Sequence, residues 1–282
     1  MQQWEELPEK SIWRKIAVGM WGRPNEPTIL GTISPRADRM LDYLEEVEEA
    51  SGVKITPTAF FAKVLANFFE RYPNLNVIVI RNRVMRRKNI DIFCQVAIPS
   101  EGDNADADLS GFKIANCDEL DLVDVARYIQ DRAGEVREDD DEEMGESRSL
   151  MGRIPDVMMP LVVRAVEILT YLVPIDLSAL GIRSDPFGSV MLSSIGSFDV
   201  DNAFAPLVPS SRSPLVVLPG AIHEEPVAED GEVFARKVVT VCTTADHRCY
   251  DGYQGALFVD AMKSMIENPR EHFPPPSRWS TS

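Results

Sequence analysis

Seven residues near the C-terminus combine side chains suited to proton transfer: Asp246-His247-Arg248-Cys249-Tyr250-Asp251-Gly252. His247 is one of three histidines in the chain, and an aspartate and an arginine flank it directly. An imidazole with an ordinary pKa of about 6.5 accepts and returns a proton near neutral pH, which makes His247 the candidate general base. The other two histidines, His223 and His272, lack comparable neighbours and read as surface residues. Cys94, Cys117, Cys242 and Cys249 are scattered without the paired spacing of a metal or redox centre, so no metal is expected. Cys249 falls inside the heptad and reads as a small, unreactive residue rather than a nucleophile.

A base is useful where a scaffold holds it firmly and leaves one face open. The heptad follows an apolar, β-branched run, Val238-Val239-Thr240-Val241-Cys242-Thr243-Thr244, and precedes a helical pattern that begins near Gly252. His247 is therefore expected where a strand ends and a helix is about to start. Earlier in the chain, Ala37 to Ala50 carries Met40, Leu41, Leu44 and Val47 at helical spacing, with Gly52 as a stop signal. Thr56 and Pro57 open a second helix, in which Phe60, Val64, Leu65 and Phe68 share a face before Pro73. Strand-like runs follow at Asn76 to Ile80 and Asn89 to Ile98, then an Asp- and Gly-rich turn at 102 to 108 and a helix over Leu120 to Ile129. The second half is mostly strand, with a hairpin signalled by Glu229-Asp230-Gly231 and a closing helix to about Ile266. This is an α/β pattern of the two-layer α+β kind rather than regular βαβ alternation.

One stretch is anomalous. Glu138 to Glu143 is a block of like charge that reads as a solvated connection, and Ile154 to Ile182 is strongly apolar. A helix over Leu161 to Val173 has only Arg164, Glu167 and Tyr171 as a polar stripe, so it must bury itself somewhere. Pro160, Pro174 and the two charges argue against a membrane span of roughly 20 apolar residues, and membrane contact is not expected. A subunit interface is the preferred destination. Residues 1–282 are thus read as a single domain with an acidic linker and apolar helical insertion at about 134–185.

Charge excludes one class of partner. With 29 basic against 45 acidic residues the formal charge is −16, so nothing would replace the counterions released from nucleic-acid phosphate. Arg81, Arg83, Arg86, Arg87 and Lys88 form a local exception across an expected hairpin turn and read as a solvated face. The first residues lack the basic and apolar regions of a signal peptide, and a cytoplasmic location is expected.

The heptad resembles the Asp-His-Arg-x-x-Asp-Gly signature of the dihydrolipoyl acyltransferases of 2-oxo acid dehydrogenase complexes, relatives of chloramphenicol acetyltransferase. Gly188-Ser189-Val190-Met191-Leu192-Ser193-Ser194-Ile195-Gly196 and Pro214 to Ile222 resemble two further strands of that family, and Ser51 to Thr56 with Tyr72 to Asn76 resemble the bounds of its second helix. The resemblance implies a chloramphenicol acetyltransferase-like mixed sheet with flanking helices. It implies acyl transfer between coenzyme A and a dihydrolipoyl-type thiol or another acceptor, with His247 as base, Ser193 as oxyanion donor and Asp251 ordering the loop through an arginine, for which Arg14 and Arg248 are available. Arg14, Arg248 and Ser194 are the residues it points to for CoA contact, and Ser194 also competes with Ser193 for the oxyanion.

It further implies a homotrimer with the site between subunits, and a higher cubic assembly if the tail, here carrying Phe273 and Trp279, docks on a neighbour. The sequence contains no lipoyl hairpin, so a separate lipoyl-carrying protein is the implied partner. Two departures, Trp13-Arg14-Lys15-Ile16-Ala17 and Asp108-Leu109-Ser110-Gly111-Phe112, fall in segments that form the family's substrate channels. They keep open an alternative reading, a catalytically reduced scaffold.

Overall fold

The computed structural model describes residues 27–99, 107–137, 155, 158–172 and 185–280. Arg14 and the acidic block at 138–143 lie outside them. The elements in chain order are β1 (Thr28–Ile33), α1 (Asp38–Ser51), α2 (Pro57–Arg71), β2 (Val77–Ile80), β3 (Arg83–Arg86), β4 (Ile92–Pro99), β5 (Ala107–Ile114) and α3 (Leu122–Arg137). Then follow α4 (Met159–Leu172), β6 (Val190–Leu192), β7 (Leu215–Glu229), β8 (Glu232–Asp246), α5 (Gly252–Glu267) and the single turn α6 (Pro269–His272).

Local chemistry accounts for the helix bounds. Gly52 takes the left-handed conformation (φ 67°) that ends α1, and its N–H donates to the Glu48 carbonyl. Thr56 caps α2 by accepting from the Ala59 N–H at 3.3 Å, and Pro57 occupies the first turn, where its missing N–H costs nothing. The long β7–β8 hairpin turns at Asp230 and Gly231, both with positive φ, as the Asp-Gly signal requires.

Six strands form one mixed sheet in the order β1-β8-β7-β6-β4-β5, with β7, β6 and β4 parallel and the other pairs antiparallel. Side chains alternate across it. Ile92, Cys94, Val190, Leu192, Leu215, Val217, Val239 and Val241 join the helices in the main core. Phe93, Met191, Val216, Leu218 and Cys242 form a smaller cluster with Phe187, Ile195, Ala205 and Leu207. The expected two-layer α/β architecture is therefore present. Two strands escape simple pattern reading. β3 is exposed throughout, and β5 begins at Ala107, inside the stretch expected to be turn.

The expected basic face needs one correction. Arg87 is buried: it pairs with Asp185 at 2.7 Å and donates to the Val77 carbonyl, so it works as a structural tie. The tail, on which a higher assembly would depend, packs against its own chain. Phe273 packs beside Tyr43 and Phe60, Tyr43 donates to the Pro274 carbonyl at 2.8 Å, and Trp279 Nε1 donates to Asp121 at 3.0 Å. Among the described residues no helix is long and apolar enough to cross a membrane, and no cluster of His, Cys, Asp or Glu is placed to hold a metal ion.

Candidate active site

β8 ends at Asp246 and α5 begins at Gly252, so the heptad is the turn between them. Its backbone is pinned on several sides. Asp246 N–H donates to the Pro214 carbonyl at 2.9 Å, His247 N–H to the Pro27 carbonyl at 2.7 Å, and the Cys249 and Tyr250 N–H groups both donate back to the Asp246 carbonyl. Tyr250 is buried, and its hydroxyl donates to the Leu75 carbonyl at 3.0 Å, tying the turn to the segment after α2.

His247 is exposed, and its Nδ1 lies 2.8 Å from the Tyr250 carbonyl. A carbonyl oxygen can only accept, so Nδ1 carries the hydrogen, and a neutral ring then presents Nε2 as a bare lone pair. Cys249, partly buried beneath the turn, has its thiol pushed up to about 11 by burial and is held protonated.

The two aspartates of the heptad divide their work, and of the two arginines available to Asp251 only Arg248 lies among the described residues. Arg248 does not pair with Asp251. It grips Asp246 through Nη2 at 2.6 Å and Nε at 3.0 Å, and Asp246 also accepts the Arg248 N–H. Asp246 is 4% exposed, so a buried carboxylate finds its cation two residues away. Asp251 instead caps α5. Its carboxylate accepts from the Tyr253 N–H at 2.8 Å, while its own N–H donates to Gln254 Oε1 at 2.9 Å, a reciprocal capping box.

Ser193 and Ser194 follow β6. The Ser193 N–H donates to the Val217 carbonyl at 3.0 Å, and the Ser194 carbonyl accepts from the Ser197 hydroxyl at 3.1 Å. β6 reaches this place because Gly188 turns with φ +63° where a side chain would strike Asp91, and the Ser189 hydroxyl accepts the Asp91 N–H. Asp91 is itself held by Lys113 at 2.8 Å.

Sheet register separates the base from the serine. Leu192 lies level with Val217, and Val217 with Thr243, so Ser193 is level with Cys242, two strands away from β8. His247 lies five positions beyond Cys242, just past the end of β8. At about 3.3 Å per residue and about 4.8 Å per strand, the two are roughly 19 Å apart within one chain. A cavity of about 210 Å³ between β1, β8 and α5, lined by Ile29, Phe68, Tyr250, Asp251 and Phe258, includes neither of them.

Pattern reading missed one cluster. His223, read as an unremarkable surface residue, is 2.8 Å from Glu225 and 3.4 Å from Asp201. The Glu225 hydrogen bond raises its pKa above the ordinary histidine value. The alternation His223-Glu224-Glu225 on a strand was the available signal, since positions two apart share a face.

A family model described as 2-oxoacid dehydrogenases acyltransferase (catalytic domain) matches residues 2–146 and 186–273. The dihydrolipoyllysine-residue acetyltransferase component of the acetoin cleaving system of Bacillus subtilis is 22% identical over 274 residues, covering 95% of this chain and 56% of that protein. The chain thus spans about half the length of the relatives it matches. Among solved structures, a probable dihydrolipoamide acetyltransferase from Listeria monocytogenes superposes with a TM-score of 0.63 at 20% identity, covering 96% of this chain and 98% of that one. The cubic core of the pyruvate dehydrogenase multienzyme complex gives a TM-score of 0.63 at 17% identity, covering 95% and 93%.

Proposed function

The chain belongs to the 2-oxoacid dehydrogenases acyltransferase (catalytic domain) family, and from that premise we propose that it moves an acyl group between coenzyme A and a dihydrolipoyl-type thiol. The observation that carries this reading is the contact of His247 Nδ1 with the Tyr250 carbonyl at 2.8 Å. With Nδ1 committed to the Tyr250 carbonyl, Nε2 is free to act as a base at an exposed turn.

The thiol proton passes to Nε2, and the thiolate attacks the thioester carbonyl carbon. The new C–S bond leaves negative charge on the former carbonyl oxygen, which the Ser193 hydroxyl stabilises by donating to it. When the old C–S bond breaks, the departing thiolate takes the proton back from Nε2. Atoms and charge balance without a metal or an oxidant. Arg248 and Ser194 are the described residues available for CoA contact. The thiol arrives on a lipoyl group carried by a separate protein or domain.

Because His247 and Ser193 stand roughly 19 Å apart within one chain, the complete site lies between two copies, His247 from one and Ser193 from the next. The resemblance to trimeric acyltransferases makes a three-fold ring the arrangement that closes. His247→Ala tests the reading directly. Turnover, followed by thiol release from an acyl-CoA, should fall about 10²–10⁴-fold while folding is retained. An alanine variant with wild-type turnover would overturn His247 as the base, and a wild type without turnover would leave the scaffold reading instead.

A further inference from the structure

The segment that carries Ser193 and Ser194 does not leave the sheet where β6 ends. It runs on beside β7 through a series of ties: the Ser193 N–H donates to the Val217 carbonyl at 3.0 Å, the Ile195 N–H to the Pro219 carbonyl at 3.1 Å, and the Ala221 N–H to the Val200 carbonyl at 2.9 Å. Two glycines allow so close an approach. A side chain at Gly196 would strike the Gly220 carbonyl, and one at Gly220 would strike the Asp201 carbonyl, where β7 bulges between Pro219 and Ile222. The series closes on side chains. His223 Nδ1 faces the Ala221 carbonyl at 3.3 Å and Asp201 Oδ1 at 3.4 Å, and its Nε2 faces Glu225 Oε1 at 2.8 Å.

Every partner of that ring is an acceptor. A neutral imidazole has one N–H and would turn a lone pair toward a carbonyl or a carboxylate on its other side, so only the doubly protonated ring satisfies both. Pairing with Val238 puts His223 on the face of the sheet that carries Leu218 and Cys242, the face against which Ile195 packs. The remaining charged groups on this part of the hairpin are engaged elsewhere. Arg236, opposite Glu225, and Arg36, beside Val238, both reach Glu229, while Glu224 and Lys237 alternate to the opposite face.

We infer that His223 is a positioning residue for Ser193: as an imidazolium between Asp201 and Glu225, it clamps the far end of the segment whose near end presents the oxyanion donor. This rests on the acyl-transfer reading. The clamp is complete while His223 is protonated and opens as pH rises through its folded-state pKa, which the Glu225 hydrogen bond raises. A general base gains activity as it deprotonates, so His223 acts in the opposite sense to His247 and limits turnover on the alkaline side.

Two measurements on the full chain test it. Hydrogen exchange of residues 193–201, followed by mass spectrometry at about pH 6, should be about 2–5-fold faster in His223→Ala than in the wild type, the size of an exposed ion pair, and unchanged in Glu224→Gln. In thiol release from an acyl-CoA, His223→Ala should lower kcat by about the same factor at that pH with KM unchanged, and should lack the alkaline fall of the wild type. His223→Lys restores a cation that keeps its proton across the range and should recover turnover without the fall. Equal exchange in the wild type and His223→Ala would overturn the clamp whatever the activity does. Faster exchange with kcat and its pH profile unchanged would overturn the positioning role, as would a His223→Lys variant no better than alanine. A wild type with no turnover at any pH would instead overturn the acyl-transfer reading, and the exchange measurement would still decide the clamp.

Discussion

His247 keeps Nε2 clear for a reacting group because its Nδ1–H donates to the Tyr250 carbonyl, and that depends on a turn tight enough to fold Tyr250 back by three residues. The proposed oxyanion donor is tested by Ser193→Ala. Turnover should fall about 10²-fold with CoA affinity little changed, the pattern of an interaction made only in the transition state. Ser194→Ala, measured alongside, should leave turnover near wild type; the reverse order would move the role to Ser194. His223 gives a pH test away from this site. Its folded-state pKa is raised, so its contribution to stability is fully present below the unfolded value of about 6.5 and is lost as pH rises through the folded value. NMR titration should find His223 above 6.5, and Glu225→Gln should bring it down because the main cause of the shift is removed.

Asp251 and Gly188 act through the elements they start. Asp251 closes the first turn of α5, so Asp251→Ala should lower stability to urea by about 1 kcal/mol, within the ~0.5–2 kcal/mol range of lost helix caps. Asp251→Asn keeps an acceptor and should lose only a small part of that. If the asparagine variant were as unstable as alanine, the carboxylate charge rather than the cap would be the working feature. Gly188 has the opposite logic, since its side-chain space is already filled by Asp91 and its φ is +63°. The bounds of α1 and α2 were legible from Gly52 and Thr56-Pro57, because caps are local chemistry, whereas the Asp251–Gln254 capping box of α5 came to light only in the structure. The start of β5 was not legible, because a short strand in an Asp-rich stretch is selected by its partner β4 rather than by its own residues.

Across the molecule, the separation of His247 from Ser193 makes the proposed chemistry a property of an assembly. Mixing provides the test. Chains carrying His247→Ala and chains carrying Ser193→Ala each lose about 10²-fold or more of their turnover in the proposed mechanism, yet random co-assembly restores about a quarter of the interfaces, those that join an intact histidine to an intact serine. Co-expression should therefore recover on the order of a quarter of wild-type turnover, whereas a site contained within one chain would recover none.

The sequence by itself determined the helices and most of the strands, the turn around His247 and the family, because periodicity, caps and a dense heptad are written in neighbouring residues. Three matters waited for the tertiary structure. Arg248 chose Asp246 over Asp251 because burial of Asp246 demanded a cation while Asp251 was already satisfied by backbone N–H groups. Phe273 and Trp279 turned inward because Tyr43, Phe60 and Asp121, far away in sequence, stand beside the tail. The apolar residues of α4 stayed exposed because Arg212, a residue outside the insertion, holds the opposite side of the helix. Each outcome was set by a partner brought close only by the fold, and no local pattern in the chain records which partner that will be.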